Sequence, residues 1–286
     1  MRLEDYETKQ HYLSTVKATT RITPENSPDE VRELTLEVDQ IDFSFHAGQS
    51  IGLIVPGPHA FGNLYHFRLY TIADSPEKKP KGKPHFTICV KRCNYIDDYS
   101  GEEYKGVASN YLCDRKPGDH ITLTGPYEMP FAVPDERDAN LLLIGMGTGI
   151  APFRALVKHI YKDLGGWKGK VRLFYGARTG LEMLYMNDRQ DDFANYYDEE
   201  TFEAFKALSP RPHWEEPAAI DQALEQNEKE VWDLICDAKT HVYIAGLENI
   251  LAMLDKAFST MAGSQEKWRK RKAELIAGGR WVELIY

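Results

Sequence analysis

The sequence predicts two domains: an antiparallel six-stranded β-barrel over residues 1–137 and an α/β domain with a parallel, Rossmann-like sheet over residues 138–286. The first half contains short strands separated by turn residues, which is typical of a barrel. The second half alternates buried strands with helices, which is typical of a parallel sheet. A chain of 286 residues is long enough for two domains that each have their own core.

Six segments of the first half have the alternation and the flanking turn residues of β-strands. They are residues 11–22, 31–39, 50–55, 67–74, 85–92 and 120–127. No long helical pattern separates them, which favours antiparallel pairing. One short helix is expected in "SNYLCDRKPGD", with Ser109 as its N-terminal cap and Pro117-Gly118 as its end.

The second half starts after "AVPDERD", which we interpret as the domain boundary. Continuous apolar runs predict strands that are buried on both faces; they cover residues 140–147, 171–178 and 240–247. Helices are predicted from about Pro152 to Asp163 and over residues 187–207, 219–235, 249–261 and 264–277. A short strand is possible near "PHWEE". A last strand, "RWVELIY", alternates Trp281, Glu283 and Ile285 against Val282, Leu284 and the terminal Tyr286.

Composition excludes several classes of protein. The net charge of −9 argues against nucleic-acid binding, which needs a basic face. No run approaches the ~20 apolar residues of a membrane span, and the N-terminus lacks the apolar stretch of a secretory signal, so we expect a cytoplasmic protein. The four cysteines have no spacing typical of zinc or iron–sulfur sites. We therefore expect no metal in this chain.

The segment "GMGTGIAPFR" follows a buried strand and opens a helix. Its glycines allow backbone N–H groups to approach an anion at the helix N-terminus, and Pro152 suits the first turn. Ile150 stands where the third glycine of GxGxxG belongs, and no Gly-Lys-Ser/Thr sequence follows. The turn alone therefore leaves both nucleotide binding and tight packing open.

Two segments of the barrel half suggest a second ligand. In "RLYTIADS", strand alternation puts Arg68 and Tyr70 on one face. This is either an ordinary amphipathic strand or a platform on which a planar ligand stacks, with Arg68 on a phosphate of that ligand. In "GVASNYL", Gly106, Ser109 and the start of the short helix would supply donors for a second phosphate.

Seven segments, in this order, resemble the plant-type ferredoxin–NADP(+) reductase family: "RLYTIADS", "CVKRCNYIDD", "YKGVASNYLCDRKPGD", "GMGTGIAPFR", "FYGARTGLEMLYMND", "VYIAGLENI" and "RWVELIY". The resemblance runs from "HAGQSIGLIV" to the last residue. It implies that the barrel domain binds FAD and that the α/β domain binds NADP. It also implies an FAD-dependent oxidoreductase that transfers electrons between NADPH and a one-electron carrier, an iron–sulfur ferredoxin or a flavodoxin-like protein.

The resemblance also implies roles for individual residues. Tyr70 and Tyr286 would stack on the two faces of the flavin, and Arg68 would bind its pyrophosphate. Thr71, Glu283 and Tyr286 would be catalytic: Thr71 near flavin N5, and Glu283 as a proton route and stabiliser of the nicotinamide. The further cofactor-binding residues implied are Leu69, Cys89, Val90, Lys91, Tyr95 (on the adenine), Gly106, Val107, Ala108, Ser109, Thr148, Gly149, Pro152, Gly176, Arg178, Ser209, Arg211, Gly246 and Leu247.

Two departures from the family bear on the nucleotide. Ala245 replaces a cysteine that contacts the nicotinamide, which is expected to change the rate of hydride transfer without abolishing it. Pro217 and Ala219 stand where the family has the lysine and tyrosine that clamp the 2′-phosphate, although Arg178 could supply positive charge there. NADPH is expected, with NADH less favoured.

Three hypotheses about function remain open, the first being the ferredoxin-type reductase implied by the resemblance. Lys91 and Arg92, together with basic clusters at residues 78–83 and 267–272, are either solvated surface or a docking patch for an acidic carrier such as ferredoxin. The second hypothesis is the reductase component of an oxygenase with a dedicated partner, similar to that of benzoyl-CoA oxygenase. The third is a flavin- or nucleotide-binding sensor without turnover. The sequence predicts no oligomeric state.

Overall fold

A computed structural model of the protein describes residues 5–59, 62–76, 82–96, 101–211 and 218–286. The chain divides into two compact units: unit 1 comprises Met1–Ala132 and Arg154–His159, and unit 2 comprises Val133–Phe153 and Ile160–Tyr286. The domain boundary between residues 137 and 138 stays a prediction. None of the described helices is long and apolar enough to cross a membrane.

The six strands predicted for the first half form one antiparallel sheet, which confirms that part of the prediction. The strands of unit 1 are β1 (Tyr12–Arg21), β2 (Val31–Val38), β3 (Ser50–Pro56), β4 (Tyr65–Thr71), β5 (His85–Lys91), β6 (Asn94–Ile96), β7 (Glu103–Lys105) and β8 (His120–Tyr127). The sheet order is β4-β3-β8-β1-β2-β5, and β6 and β7 form a separate hairpin. A bridge between Ile72 and Ile88 joins the two ends of the sheet and closes the barrel.

The barrel core follows from strand alternation, since inward positions are apolar. Leu34, Leu36 and Val38 of β2 are all fully buried in it. Helix α1 (Val107–Cys113) packs on the same core but begins two residues before the predicted cap, with Gly106 at the N-cap position. The prediction that Ser109 caps this helix is wrong, because the Ser109 hydroxyl instead accepts the N–H of Cys93 at 3.1 Å.

Unit 2 is a five-stranded parallel sheet with helices, as predicted. Its strands are β9 (Asn140–Met146), β10 (Val171–Ala177), β11 (Phe202–Leu208), β12 (Thr240–Gly246) and β13 (Trp281–Ile285), in the order β11-β10-β9-β12-β13. The helices in this half of the chain are α2 (Ile150–Lys158), which continues as a π-type turn over His159–Asp163, α3 (Ile220–Gln226), α4 (Glu228–Cys236), α5 (Asn249–Met261) and α6 (Gln265–Ala277). From the central strand β9, the chain first adds β10 and β11 on one side and then β12 and β13 on the other.

The predicted helix over residues 187–207 is wrong. This segment contains a short 3₁₀ turn at Phe193–Tyr196 and then the edge strand β11. Pairing with β10 overrides the helical composition of the segment, and it brings the rings of Phe205 and Phe174 into a stack with centroids 4.4 Å apart. The helix predicted over 219–235 is divided at Asn227. The possible strand at "PHWEE" and the position of Pro217 lie outside the described residues.

Candidate functional site

One face of β4 in unit 1 carries an exposed cation beside a partly buried ring. Arg68 is exposed, and no described carboxylate forms an ion pair with it. Tyr70 packs partly against the barrel core, and burial raises the pKa of its phenol well above the usual range. Tyr70 is therefore neutral at any physiological pH. A guanidinium next to a neutral ring suits a ligand that carries both a phosphate and a planar ring system.

The hydroxyl of Thr71 lies at the end of the same strand. Ser50 lies directly opposite it in the β3–β4 register, and the Ser50 hydroxyl donates to Thr71 Oγ1 at 3.2 Å. A hydroxyl donates one proton and accepts through its lone pairs. Because Thr71 accepts from Ser50, its own proton stays available for a second acceptor.

The side chains of three predicted binding residues on β5 are buried or paired within the protein. Val90 points into the barrel core, and Cys89 is buried as well, so their side chains cannot contact a ligand at the surface. The Lys91 ammonium lies 2.6 Å from the Asp29 carboxylate. Any contribution of these three residues to cofactor binding therefore comes from the main chain or requires this ion pair to open.

Arg92 is held in place by hydrogen bonds to three partners. Its guanidinium donates to Glu30 at 2.7 Å and to Asn110 and Asp114 at 2.9 Å. Burial raises the pKa of the Glu30 carboxyl, but hydrogen bonds from Arg92 and Arg32 outweigh this and leave it below its usual value. The Arg92 charge is thus neutralised inside the chain, which weakens the prediction that it steers an acidic partner.

Gly106 and Ser109 contact the backbone of Cys93, just before β6. A Cβ on Gly106 would lie 2.8 Å from the carbonyl oxygen of Cys93, so only glycine fits there. The Ser109 hydroxyl is engaged by the Cys93 N–H and is buried, and therefore does not extend toward solvent as a phosphate donor. The amides of Val107 and Ala108 start α1, and no described side chain caps that turn.

In unit 2, the predicted nucleotide-binding residues gather at one edge of the sheet. The carboxyl ends of parallel strands meet there, and ligands bind where the chain switches sides, here beside β9. The residues at or after these strand ends are Thr148, Gly149, Gly176, Arg178, Ser209, Arg211, Gly246, Leu247 and Tyr286. The sheet topology therefore brings together segments that are far apart in the sequence.

The glycine-rich turn after β9 packs tightly against β12. A Cβ on Gly149 would lie 2.4 Å from the carbonyl oxygen of Ala245, and Gly147 has a φ of +54°. The buried Tyr175 donates its hydroxyl to the Gly147 carbonyl at 2.9 Å. Pro152 lies in the first turn of α2, where a missing N–H costs nothing. The turn is fixed from both neighbouring strands, with its backbone close to the sheet edge.

Replacing Gly149 with alanine is expected to lower the free energy of unfolding by about 1–3 kcal/mol, because the new methyl group overpacks a backbone carbonyl. Thermal and denaturant unfolding measure this change. The matched control is Gly180→Ala: a Cβ on Gly180 would have no heavy atom within 4 Å, so little change is expected. Removing the Ala245 side chain should not restore stability, since the tightest clash is with its carbonyl. Equal stability of the two alanine variants would contradict this account of the turn.

The terminal tyrosine lies over this turn. The N–H of Tyr286 donates to the Gly246 carbonyl at 3.3 Å. Thr148 Oγ1 donates to the Tyr286 hydroxyl at 3.1 Å, and that hydroxyl is 3.4 Å from the Met146 carbonyl. The residue is 49% exposed. Polar contacts therefore hold Tyr286 at its main chain and at its hydroxyl, while much of the ring between them faces solvent.

Glu283 is not brought to the terminal ring. The indole Nε1 of Trp281 donates to Glu283 Oε1 at 2.6 Å, and Trp281 itself packs edge-on against Phe258 and Trp268. Strand alternation puts Glu283 on the face of β13 that carries Trp281, opposite the face of Tyr286. The expectation that Glu283 acts beside the nicotinamide therefore finds no support in the geometry of this strand.

The ends of β10 and β11 form the region expected to recognise the 2′-phosphate. Arg178 is 2.9 Å from the Glu182 carboxylate, four residues further along the chain. Its carbonyl accepts the N–H of Ser209 at 3.3 Å, and Ser209 Oγ accepts the N–H of Arg211 at 3.3 Å. The geometry brings together the three residues predicted for this role.

Sequence reasoning misses three residues. Tyr175 supports the glycine-rich turn, Glu182 pairs with Arg178, and Tyr104 stacks on Tyr95. Of these three, Glu182 alone has a local signal, its i,i+4 spacing from Arg178. Among the described residues, no cluster of three histidine, cysteine or acidic side chains could hold a metal ion.

Residues 143–256 match a family model described as the oxidoreductase NAD-binding domain. Over the whole chain, a ferredoxin–NADP reductase of Synechocystis is 31% identical, covering 96% of this chain and 68% of its own. One of Spirulina is 30% identical, with coverages of 96% and 95%. A chloroplastic leaf isozyme of rice is 30% identical, with coverages of 98% and 78%. The solved ferredoxin-NADP+ reductase of Plasmodium falciparum superposes with a TM-score of 0.72 at 20% identity, covering 99% and 98% of the two chains.

Proposed function

This chain belongs to the ferredoxin–NADP reductase family, and we propose that it is an FAD-dependent oxidoreductase that transfers electrons between NADPH and a ferredoxin- or flavodoxin-like carrier. FAD, when bound, accepts a hydride equivalent from the nicotinamide and releases electrons one at a time. The observation that carries the proposal is the β4 face, where an exposed Arg68 stands beside the neutral ring of Tyr70.

The residues of unit 1 fit FAD. Arg68 offers a guanidinium fork to a diphosphate, and Tyr70 offers a ring for the isoalloxazine. The Thr71 proton is available to a ring nitrogen, because Ser50 supplies the hydrogen bond that Thr71 accepts. Thr71 orients the ring system and does not itself exchange protons with it.

The residues of unit 2 fit a dinucleotide. The turn at Gly147 and Gly149 exposes backbone amides at the start of α2, where an anion is favoured. Arg211 supplies positive charge near the end of β11 for a 2′-phosphate, and Arg178 adds to it when its ion pair with Glu182 opens. Tyr286 lies over the turn and must leave it when the nicotinamide enters. The nucleotide is therefore NADPH, with NADH the weaker substrate.

The partner and the location are part of the same proposal. The curated relatives are named for ferredoxin, which favours a ferredoxin-type carrier over a dedicated oxygenase partner or a sensor without turnover. Docking does not depend on Lys91 and Arg92, since both are paired within the chain. A cytoplasmic location fits four cysteines that are all free thiols.

A spectroscopic titration tests the function. The purified protein is expected to show flavin bands in the visible range, and anaerobic NADPH should bleach them at lower concentration than NADH. Adding an iron–sulfur ferredoxin should then restore the bands as electrons leave. Absence of flavin from the protein, or no bleaching by either nucleotide, would overturn the proposal. Reoxidation by air alone, with no acceleration by ferredoxin or flavodoxin, would overturn the assignment of the partner.

A further inference from the structure

Two aromatic rings stack on the surface of the β6–β7 hairpin. Tyr95 and Tyr104 have ring centroids 5.6 Å apart and planes inclined by 22°. Tyr95 is 57% exposed and Tyr104 is 42% exposed. A stacked pair left this open to water keeps one broad apolar face available, which is a property of ligand-binding platforms.

The hairpin holds the two rings in register. Tyr95 and Tyr104 are directly opposite each other in the β6–β7 ladder, where cross-strand aromatic pairs interact best. Asn94 Nδ2 donates to Glu103 Oε1 at 2.9 Å, and the Tyr104 hydroxyl donates to Glu102 at 2.8 Å. The stack is thus fixed by the backbone ladder and by two side-chain hydrogen bonds.

The base of the hairpin is tied to helix α1. Asn110 Nδ2 donates to the carbonyls of Cys93 and Gly106, each at 2.9 Å. These two residues flank the hairpin on either side, so one side chain fixes both of its ends. The Tyr95–Tyr104 pair is therefore held on the same body as the residues proposed for the FAD phosphates.

We infer that Tyr104 is a positioning residue for the adenine of FAD: it covers one face of Tyr95 and so holds the opposite face ready for the base. This inference rests on the proposed function. Stacking a base on a ring that is already fixed loses less side-chain freedom than stacking it on a mobile ring. Tyr104 itself does not contact the adenine.

Comparison of FAD with FMN isolates this role, because FMN lacks the adenine. In Tyr104→Leu, the Kd for FAD is expected to rise roughly threefold to fivefold, as follows from loss of a cross-strand aromatic pair. Tyr95→Leu should raise the same Kd by roughly tenfold or more, since it removes the stacking surface itself. The Kd for FMN should stay within about twofold of wild type in both variants. Fluorescence titration of apo-protein gives all of these constants.

Tyr104→Phe is the matched control. It keeps the ring and the cross-strand stack but loses the hydrogen bond to Glu102, so its FAD affinity should fall less than that of Tyr104→Leu. Equal weakening of FAD and FMN by Tyr104→Leu would show a general loss of structure and overturn the inference, as would unchanged FAD affinity. A wild-type protein that binds neither flavin would instead refute the proposed function, so the two failures are distinguishable.

Discussion

Replacing Arg68 with alanine is expected to weaken FAD binding by roughly a hundredfold, which corresponds to about 2.7 kcal/mol. The reason is that a guanidinium binds a phosphate through two parallel charge-assisted hydrogen bonds. Each such bond contributes about 1.5–3 kcal/mol, and the exposure of Arg68 reduces the total through solvent screening. Flavin fluorescence titration of the apo-protein measures the affinity.

Two further variants make this prediction specific. Arg68→Lys keeps the charge but loses the planar fork, so its FAD affinity should fall between wild type and alanine. Lys17→Ala removes a positive charge that is 51% exposed on strand β1, and FAD affinity should stay within about twofold. The loss caused by Arg68→Ala should also shrink as salt concentration rises. Wild-type affinity in Arg68→Ala would remove Arg68 from the proposed site.

Replacing Tyr286 with serine is expected to tighten NADP+ binding by roughly thirtyfold and to slow turnover. In the wild-type protein, an entering nicotinamide must displace a ring that packs over the glycine-rich turn and is hydrogen-bonded to Thr148. Ring packing contributes about 0.5–1.5 kcal/mol and each hydrogen bond a similar net amount, so their combined loss accounts for a change of this size. Turnover falls because the bound nucleotide leaves more slowly.

Tyr286→Phe separates the effect of the ring on NADP+ binding from the effect of its hydroxyl. It keeps the stacking surface and loses the contacts to Thr148 and the Met146 carbonyl, so NADP+ affinity should rise only a few-fold. Equilibrium titration and steady-state kinetics with NADPH give both quantities. If Tyr286→Ser bound NADP+ with wild-type affinity, the ring would not occupy the nicotinamide space.

Local patterns predict most of the fold. The six barrel strands show alternation of apolar and polar residues, and the buried strands β9, β10 and β12 are continuous apolar runs. Each of these strands can therefore be recognised from its own residues. Strand β11 is not predicted from its sequence, because its residues favour a helix and only pairing with β10 makes the segment a strand. Propensity is overridden where an edge of the sheet is open to a further strand.

The candidate site is predicted less evenly. The sequence assigns Ser109 to a phosphate, but its hydroxyl is engaged by a residue 16 positions away. The family resemblance assigns Glu283 to the nicotinamide, although strand alternation in the same segment places it opposite Tyr286. The order of motifs identifies which segments belong to a site, but the direction of each side chain depends on its neighbours.

The sequence by itself determined the barrel, the parallel sheet and the glycine-rich turn, because hydrophobic periodicity and glycine positions act over a few residues. Only the tertiary structure decided which polar groups stay available to a ligand: Arg68 is open, whereas Lys91 and Arg92 are paired. It also decided where Tyr286 lies, since this residue meets Thr148 across 138 positions of sequence. Such pairs form when folded elements meet in space, and no local pattern contains that information.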